Sequence, residues 1–157
     1  MPSDDNPGTV IMDDCTFDQV SEGDELPPFG LALTLQRLVM EAGANRDFAP
    51  IHHNADFART AGAPGPFANV MLVQALLEAA LRDWMGLDGR LRKLDIRIGS
   101  FATAGAMMTG HGRVTAKRPE ENGGLVELEV WTESVGARAA VGTATVWLPP
   151  AGRGQEK

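Results

Sequence analysis

Residues 69–86 read NVMLVQALLEAALRDWMG. Val70, Leu72, Val73, Leu76, Leu77, Ala79, Ala80, Leu81 and Trp84 fall at helical spacing and cover most of a circumference. Gln74, Glu78 and Arg82 recur at every fourth position and leave one narrow polar stripe. A helix that is apolar nearly all round needs cover nearly all round, so this segment is expected at the centre of the protein. Gly86 suits the position just past its end, where a positive backbone φ closes the last turn.

The cover lies downstream. From residue 91 the apolar period drops to two, and LDIRI (94–98) sets Leu94, Ile96 and Ile98 against Asp95 and Arg97. GHGRVTAKR (110–118), LVELEVWTE (125–133) and AAVGTATVWL (139–148) follow as strands, with PEENGG (119–124) as a turn. Helices in the first half and antiparallel strands in the second imply an α+β fold. The economical packing is a curved antiparallel sheet wrapped around the 69–86 helix. One helix covers only one face of such a sheet, so a dimer or larger assembly is expected.

Upstream, VSEGDELPP (20–28) is rich in turn residues, and FGLALTL (29–35) alternates like a strand. QRLVMEAGA (36–44) follows as a short helix ending near Gly43. Residues 46–68 are loop-like, with Pro50, Pro64 and Pro66. Within them NADFARTAG (54–62) suits a short helix capped by Asn54, with Asp56 in its first turn and Gly62 closing it.

At 157 residues the chain is expected to be one domain, 1–157, with an ordered core of about 17–150. A formal net charge of −7 argues against nucleic-acid binding, which needs a basic footprint. The single cysteine, Cys15, excludes an internal disulfide and any zinc cluster built on cysteines. Asp13, Asp14 and Asp18 around it are expected to raise its thiol pKa and disfavour a nucleophilic role. The first residues, MPSDDNPGTVIMDD, have neither the basic nor the apolar region of a signal peptide. No apolar run reaches the roughly 18 residues of a membrane span, so a cytoplasmic location is expected. The first dozen residues and the tail AGRGQEK are expected to be loosely ordered.

Two of the three histidines stand together in RDFAPIHHNADFA (46–58). Asp47 precedes His52 by five residues, Pro50 stiffens the loop between them, and the central helix opens behind GPFANVM (65–71). In these features the chain resembles the MaoC-like hydratases and dehydratases, which have the hot-dog fold. The family's usual runs are Asp-x-Asn-Pro-x-His-x-Asp and Gly-Pro-x-x-His-Gly-Met; here they read DFAPIHHN and GPFANVM. EGDELPP (22–28) resembles the family's first turn, and FATAGAMMTGHGRV (101–114) stands in place of its Pro-x-x-x-Gly-Asp strand. The resemblance covers roughly 17–148. Ala49 replaces the usual Asn, Asn54 the usual Asp, and Asn69-Val70 the usual His-Gly. The RDF…HH, F-x-N and RDWMG runs are similar to the small subunits of heteromeric enoyl-CoA hydratases of bacterial steroid side-chain degradation.

The resemblance implies reversible hydration of a trans-2-enoyl-CoA to a 3-hydroxyacyl-CoA, with no metal or redox cofactor and CoA as part of the substrate. Asp47 and His52 would hold water and handle the proton, as a carboxylate and an imidazole on one short loop are able to do. The backbone N–H of Val70 would polarise the thioester carbonyl at a helix N-terminus. Arg46, Asn69 and Glu78 stand as supporting candidates, although a Glu78–Arg82 pair on the helix surface is the plainer reading of Glu78. His53 and His111 are expected to be structural. Partners implied are an acyl-CoA and either a second copy or a second hot-dog chain, with no nucleic acid and no membrane. Alternatives are a subunit active only beside such a partner, a binding module, and an acyl-CoA thioesterase.

Overall fold

The computed structural model describes residues 15–152. Along the chain it forms β1 (Phe29–Ala32), α1 (Leu35–Ala44), α2 (Ala55–Thr60), α3 (Val70–Met85), β2 (Arg90–Ile98), β3 (Met107–Glu120), β4 (Gly123–Ser134) and β5 (Ala137–Leu148). The five strands pair antiparallel in one sheet, in the order β1-β3-β4-β5-β2. The sheet packs on α3, as the hot-dog resemblance implies.

Core meets α3 on two flanks, while Val70, Met71 and Ala75 stay exposed, so the cover is less than the all-round cover expected. Leu77, Leu81 and Met85 share a cluster with Val114, Val126, Leu128, Val130, Val146 and Leu148 of the sheet. Toward the start of the helix, Leu72, Val73 and Leu76 pack with Leu33, Leu38, Met108 and Ala140. Leu77 and Leu81 have no exposed surface, and truncating either to Ala is worth about 2–5 kcal/mol in such a core. Gly86 sits past the helix end at φ 72°. Gly142 lets β2 and β5 close up, because a Cβ there would overlap the Asp95 carbonyl.

FGLALTL divides differently from its alternation. The strand stops at Ala32, and Thr34 caps α1 by accepting the Arg37 N–H at 3.1 Å. Leu35 is therefore the first residue of α1, half exposed, and the helix runs through Gly43 to Ala44. In NADFARTAG the Asn54 Oδ1 accepts the Phe57 N–H at 2.9 Å, and Gly62 has φ 83°, both as expected. Pro50–His52 adds an unforeseen 3₁₀ turn. LDIRI is the second half of β2, and Asn122 turns the β3–β4 hairpin at φ 62°.

The sheet's outer face carries ion pairs, Arg113–Glu25 at 2.5 Å and Arg138–Glu129 at 3.2 Å. Trp131 lies there between His111, stacked at 5.3 Å, and the Arg138 guanidinium at 4.5 Å. Burial first, and Asp24 second, push the Cys15 thiol up against the pull of Lys117. The direction is the expected one; among the described residues the carboxylate is Asp24 rather than Asp18, and Asp13 and Asp14 lie outside the described residues. The readings of the N-terminal stretch and of loose ends lie outside the described residues, apart from Cys15 and the 151–152 turn, where the Ala151 N–H donates to Asp18. Among the described residues no helix is long and apolar enough to cross a membrane.

Candidate active site

Asp47 follows α1 by way of Arg46, a non-glycine residue at φ 57°, and its own N–H donates to the Ala42 carbonyl at 2.9 Å. The 3₁₀ turn from Pro50 then brings His52 back toward it. His52 Nε2 lies 3.0 Å from Asp47 Oδ2. The histidine is buried, with 4% of its surface exposed, whereas the Asp47 carboxylate is about one-third exposed (37%).

The other ring nitrogen fixes the tautomer. His52 Nδ1 stands 2.7 Å from the Phe67 carbonyl, which only accepts, so Nδ1 carries hydrogen. Phe67 is itself held in a short ladder: Ala68 N–H donates to the Ala102 carbonyl and Ala104 N–H to the Pro66 carbonyl. Its ring meets the imidazole edge-on at 5.4 Å. With Nδ1 donating to that carbonyl, Nε2 is the ring nitrogen turned toward the carboxylate, 3.0 Å from its oxygen.

Asn69 joins this pair to the helix. Its Nδ2 donates to Asp47 Oδ2 at 3.1 Å, and its Oδ1 accepts the Leu72 N–H at 2.9 Å as the N-cap of α3. The Asn69 amide is the main influence holding the Asp47 carboxyl below its ordinary value; burial opposes it, and the Ala49 N–H and His52 add to it. Val70 is the first residue of α3, and its N–H is left over by the cap, which serves Leu72. That end of the helix carries partial positive charge.

The pair opens on a cavity of about 430 Å³, within the range of small-molecule sites. Asp47 and His52 form one side, the stretch from Phe67 to Val70 with Val73 another, and Ile98 to Ala102 the third. The lining is mainly apolar, and the loop from Ile98 to Ala102 contributes no titratable group.

The sequence candidates thus separate. Asp47, His52, Asn69 and Val70 meet at one cavity. Arg46 is exposed, and no bond from it to Asp47 occurs among the described residues. Glu78 pairs with Arg82 at 2.8 Å, five residues along α3 from Val73 of the cavity wall, so neither Arg46 nor Glu78 is bonded to the pair among the described residues. His53 is exposed, and His111 lies on the outer sheet face. Glu41 of α1 was not singled out. Burial raises its carboxyl, while Asn45, Asn69 and His52 pull it down and Asp47 pushes it up, which places it beside the same group. Nothing in QRLVMEAGA marks Glu41 apart from any polar helix residue.

No family model matches the chain. Among curated proteins, it is 31% identical over 93 residues to the beta subunit of 3-oxo-4,17-pregnadiene-20-carboxyl-CoA hydratase from Mycobacterium tuberculosis, covering 59% of this chain and 69% of that one. Among solved structures, a chain of the ChsH1–ChsH2 complex from Mycobacterium tuberculosis superposes with a TM-score of 0.73 at 25% identity, over 82% of this chain and 98% of that one. The (R)-hydratase from A. caviae shares the fold, with a TM-score of 0.74 at 23% identity over 83% and 98%. On the strength of the curated relative, and with the Asp-x-x-x-x-His loop set before a buried central helix, the chain belongs to the MaoC-like hydratase family of hot-dog proteins.

Proposed function

We propose that this protein catalyses the reversible hydration of a trans-2-enoyl-CoA to a 3-hydroxyacyl-CoA. The observation that carries the reading is the 3.0 Å approach of His52 Nε2 to Asp47 Oδ2 at the wall of an apolar cavity, and the proposed cycle starts with one proton between them. A water in that cavity gives a proton to Asp47 as its oxygen bonds to C3. His52 Nε2–H gives its proton to C2. The proton taken up by Asp47 restores the shared position, so the pair ends as it began and one water has been added. The negative charge that builds on the thioester oxygen is met by the Val70 N–H and the positive end of α3. The test is loss of enoyl absorbance with Asp47→Asn and His52→Ala beside the wild type. Unchanged rates in both variants refute the reading. Release of free CoA thiol instead of loss of the double bond assigns a thioesterase.

A second reading, a subunit that works beside a hot-dog partner, is favoured by the cavity rim. Phe48 is 72% exposed beside Asp47, Val70 and Met71 are about half exposed, and Ile98 and Phe101 are each more than two-fifths exposed. Val70, Ile98 and Phe101 line the cavity, Phe48 and Met71 adjoin lining residues in the chain, and that much exposed large apolar surface is what an association face presents. The similarity to a beta subunit points the same way, and to a bulky, ring-bearing acyl group of the kind in that protein's name. Co-expression with the neighbouring gene's product, followed by size measurement and assay with short, long and steroid-ring enoyl-CoAs, tests both points. A chain that is monomeric and fully active alone excludes the subunit reading.

A further inference from the structure

The Asn69 side chain makes two bonds that serve different ends. Its oxygen caps α3 through the Leu72 N–H, and its nitrogen donates to the Asp47 oxygen that faces His52. It is 94% buried (6% exposed); the capping bond is buried and the bond to Asp47 is partly buried. Both ends of one planar amide are therefore committed, and the cap cannot rotate without releasing the carboxylate. The distance across which it works is long in sequence: Asp47 and Asn69 are 22 residues apart.

We propose that Asn69 is the positioning residue of this site, fixing through one rigid amide both the rotation of the Asp47 carboxylate and the helix start that offers the Val70 N–H. Its action is indirect. A free aspartate carboxylate turns about its last torsion with little resistance. Asn69 pins the Oδ2 that faces His52, and the Ala49 N–H reaches Oδ1 at a longer 3.4 Å, so the Asn69 bond, at 3.1 Å, is the shorter of the two that set the carboxylate's rotation. The titratable groups facing Asp47 are His52, from the 3₁₀ turn, and Glu41, from α1. The first turn of α3 and the loop from Ile98 to Ala102 bring none. The geometric proposal stands on the hydrogen bonds; its effect on turnover rests on the hydratase reading.

The two bonds are separable by substitution. Asn69→Ser retains an N-cap oxygen but is too short to reach Asp47 as well, while Asn69→Ala removes both bonds. Carbon-13 NMR titration of the Asp47 carboxyl is the first readout, because it needs no activity. Asn69→Ser is expected to move the Asp47 midpoint up toward the ordinary aspartate value of about 3.9, with thermal stability close to wild type. Asn69→Ala is expected to show the same midpoint and a lower melting temperature. Where the wild type hydrates, both variants are expected to lose roughly 10- to 100-fold in kcat with KM little changed, as a misaimed group does. If Asn69→Ser folds poorly, Asn69→Thr, which also caps, is read in its place. An Asp47 midpoint that stays at its wild-type value in a folded capping variant overturns the proposal. A wild type that hydrates no enoyl-CoA overturns the hydratase reading and leaves the carboxylate titration to decide this one.

Discussion

His52 approaches Asp47 at 3.0 Å through Nε2 while its Nδ1 donates to a backbone carbonyl, so Nε2 is the ring nitrogen left to face the carboxylate. The first prediction concerns that contact. Asp47→Asn keeps the shape and removes the acceptor; His52→Ala removes the donor. Each is expected to lower kcat for hydration by about 10²- to 10⁴-fold, the usual worth of a positioned acid or base. Stopped-flow absorbance of the enoyl thioester, with circular dichroism to show that the fold is kept, checks it.

The second prediction concerns acid. The Asn69 amide first, then the Ala49 N–H and His52, hold the Asp47 carboxyl below its ordinary value against burial. A carboxyl depressed in the folded state stabilises fully above its unfolded value of about 3.9 and stops doing so as pH falls through the folded value. Wild type and Asp47→Asn are therefore expected to differ in urea midpoint near neutrality. The two curves should converge once the pH drops below the ordinary aspartate range.

The third prediction isolates a backbone group. Proline is accepted at the first position of a helix, where its missing N–H breaks no helical bond. The residue before it must be extended, and Asn69 already is, at φ −76° and ψ 169°. Val70→Pro is thus expected to fold and cap normally. It lacks the N–H assigned to the thioester oxygen, and kcat is expected to fall by about 10²- to 10³-fold. A proline variant as fast as wild type would take the Val70 N–H out of the mechanism.

A fourth prediction tests how the cavity wall is hung. Gly142 faces Asp95 across the β5–β2 ladder, and a methyl group there would overlap the Asp95 carbonyl. Gly142→Ala is expected to cost about 1–3 kcal/mol or more in urea unfolding. It should also raise KM, because β2 leads directly into the Ile98 side of the cavity. Equal stability of variant and wild type would contradict that packing.

Most of the fold is readable in the chain because its periods are clean. Seven of the sixteen residues of α3 are buried, but Val70, Met71 and Ala75 stay exposed, so its apolar pattern gives the helix and its central place correctly and overstates how much of its circumference is covered. The error at FGLALTL has a local cause. Leu33 and Leu35 continue the alternation through Thr34, but the Thr34 hydroxyl bonds the Arg37 N–H and starts a helix there. Capping chemistry outweighed apolar spacing. At the site, Asp47 and His52 are readable because they share one short loop. Arg46 and Glu78 look as suitable in sequence as Asn69, and only the tertiary approach of α3 to that loop separates them. Glu41 was missed for the same reason: its neighbours come from packing, and no local spacing announces them.

The cavity has a division of labour in its wall. The groups proposed to handle protons come from residues 47–52, beside the start of α3, whereas another side comes from residues 98–102, at the end of a strand that among the described residues is an edge strand paired with β5. Those five residues hold none of the proposed chemistry. Under the proposed hydratase reading this is a ready partition: substitutions on the sheet edge would alter which acyl group fits and leave the Asp47–His52 pair in place.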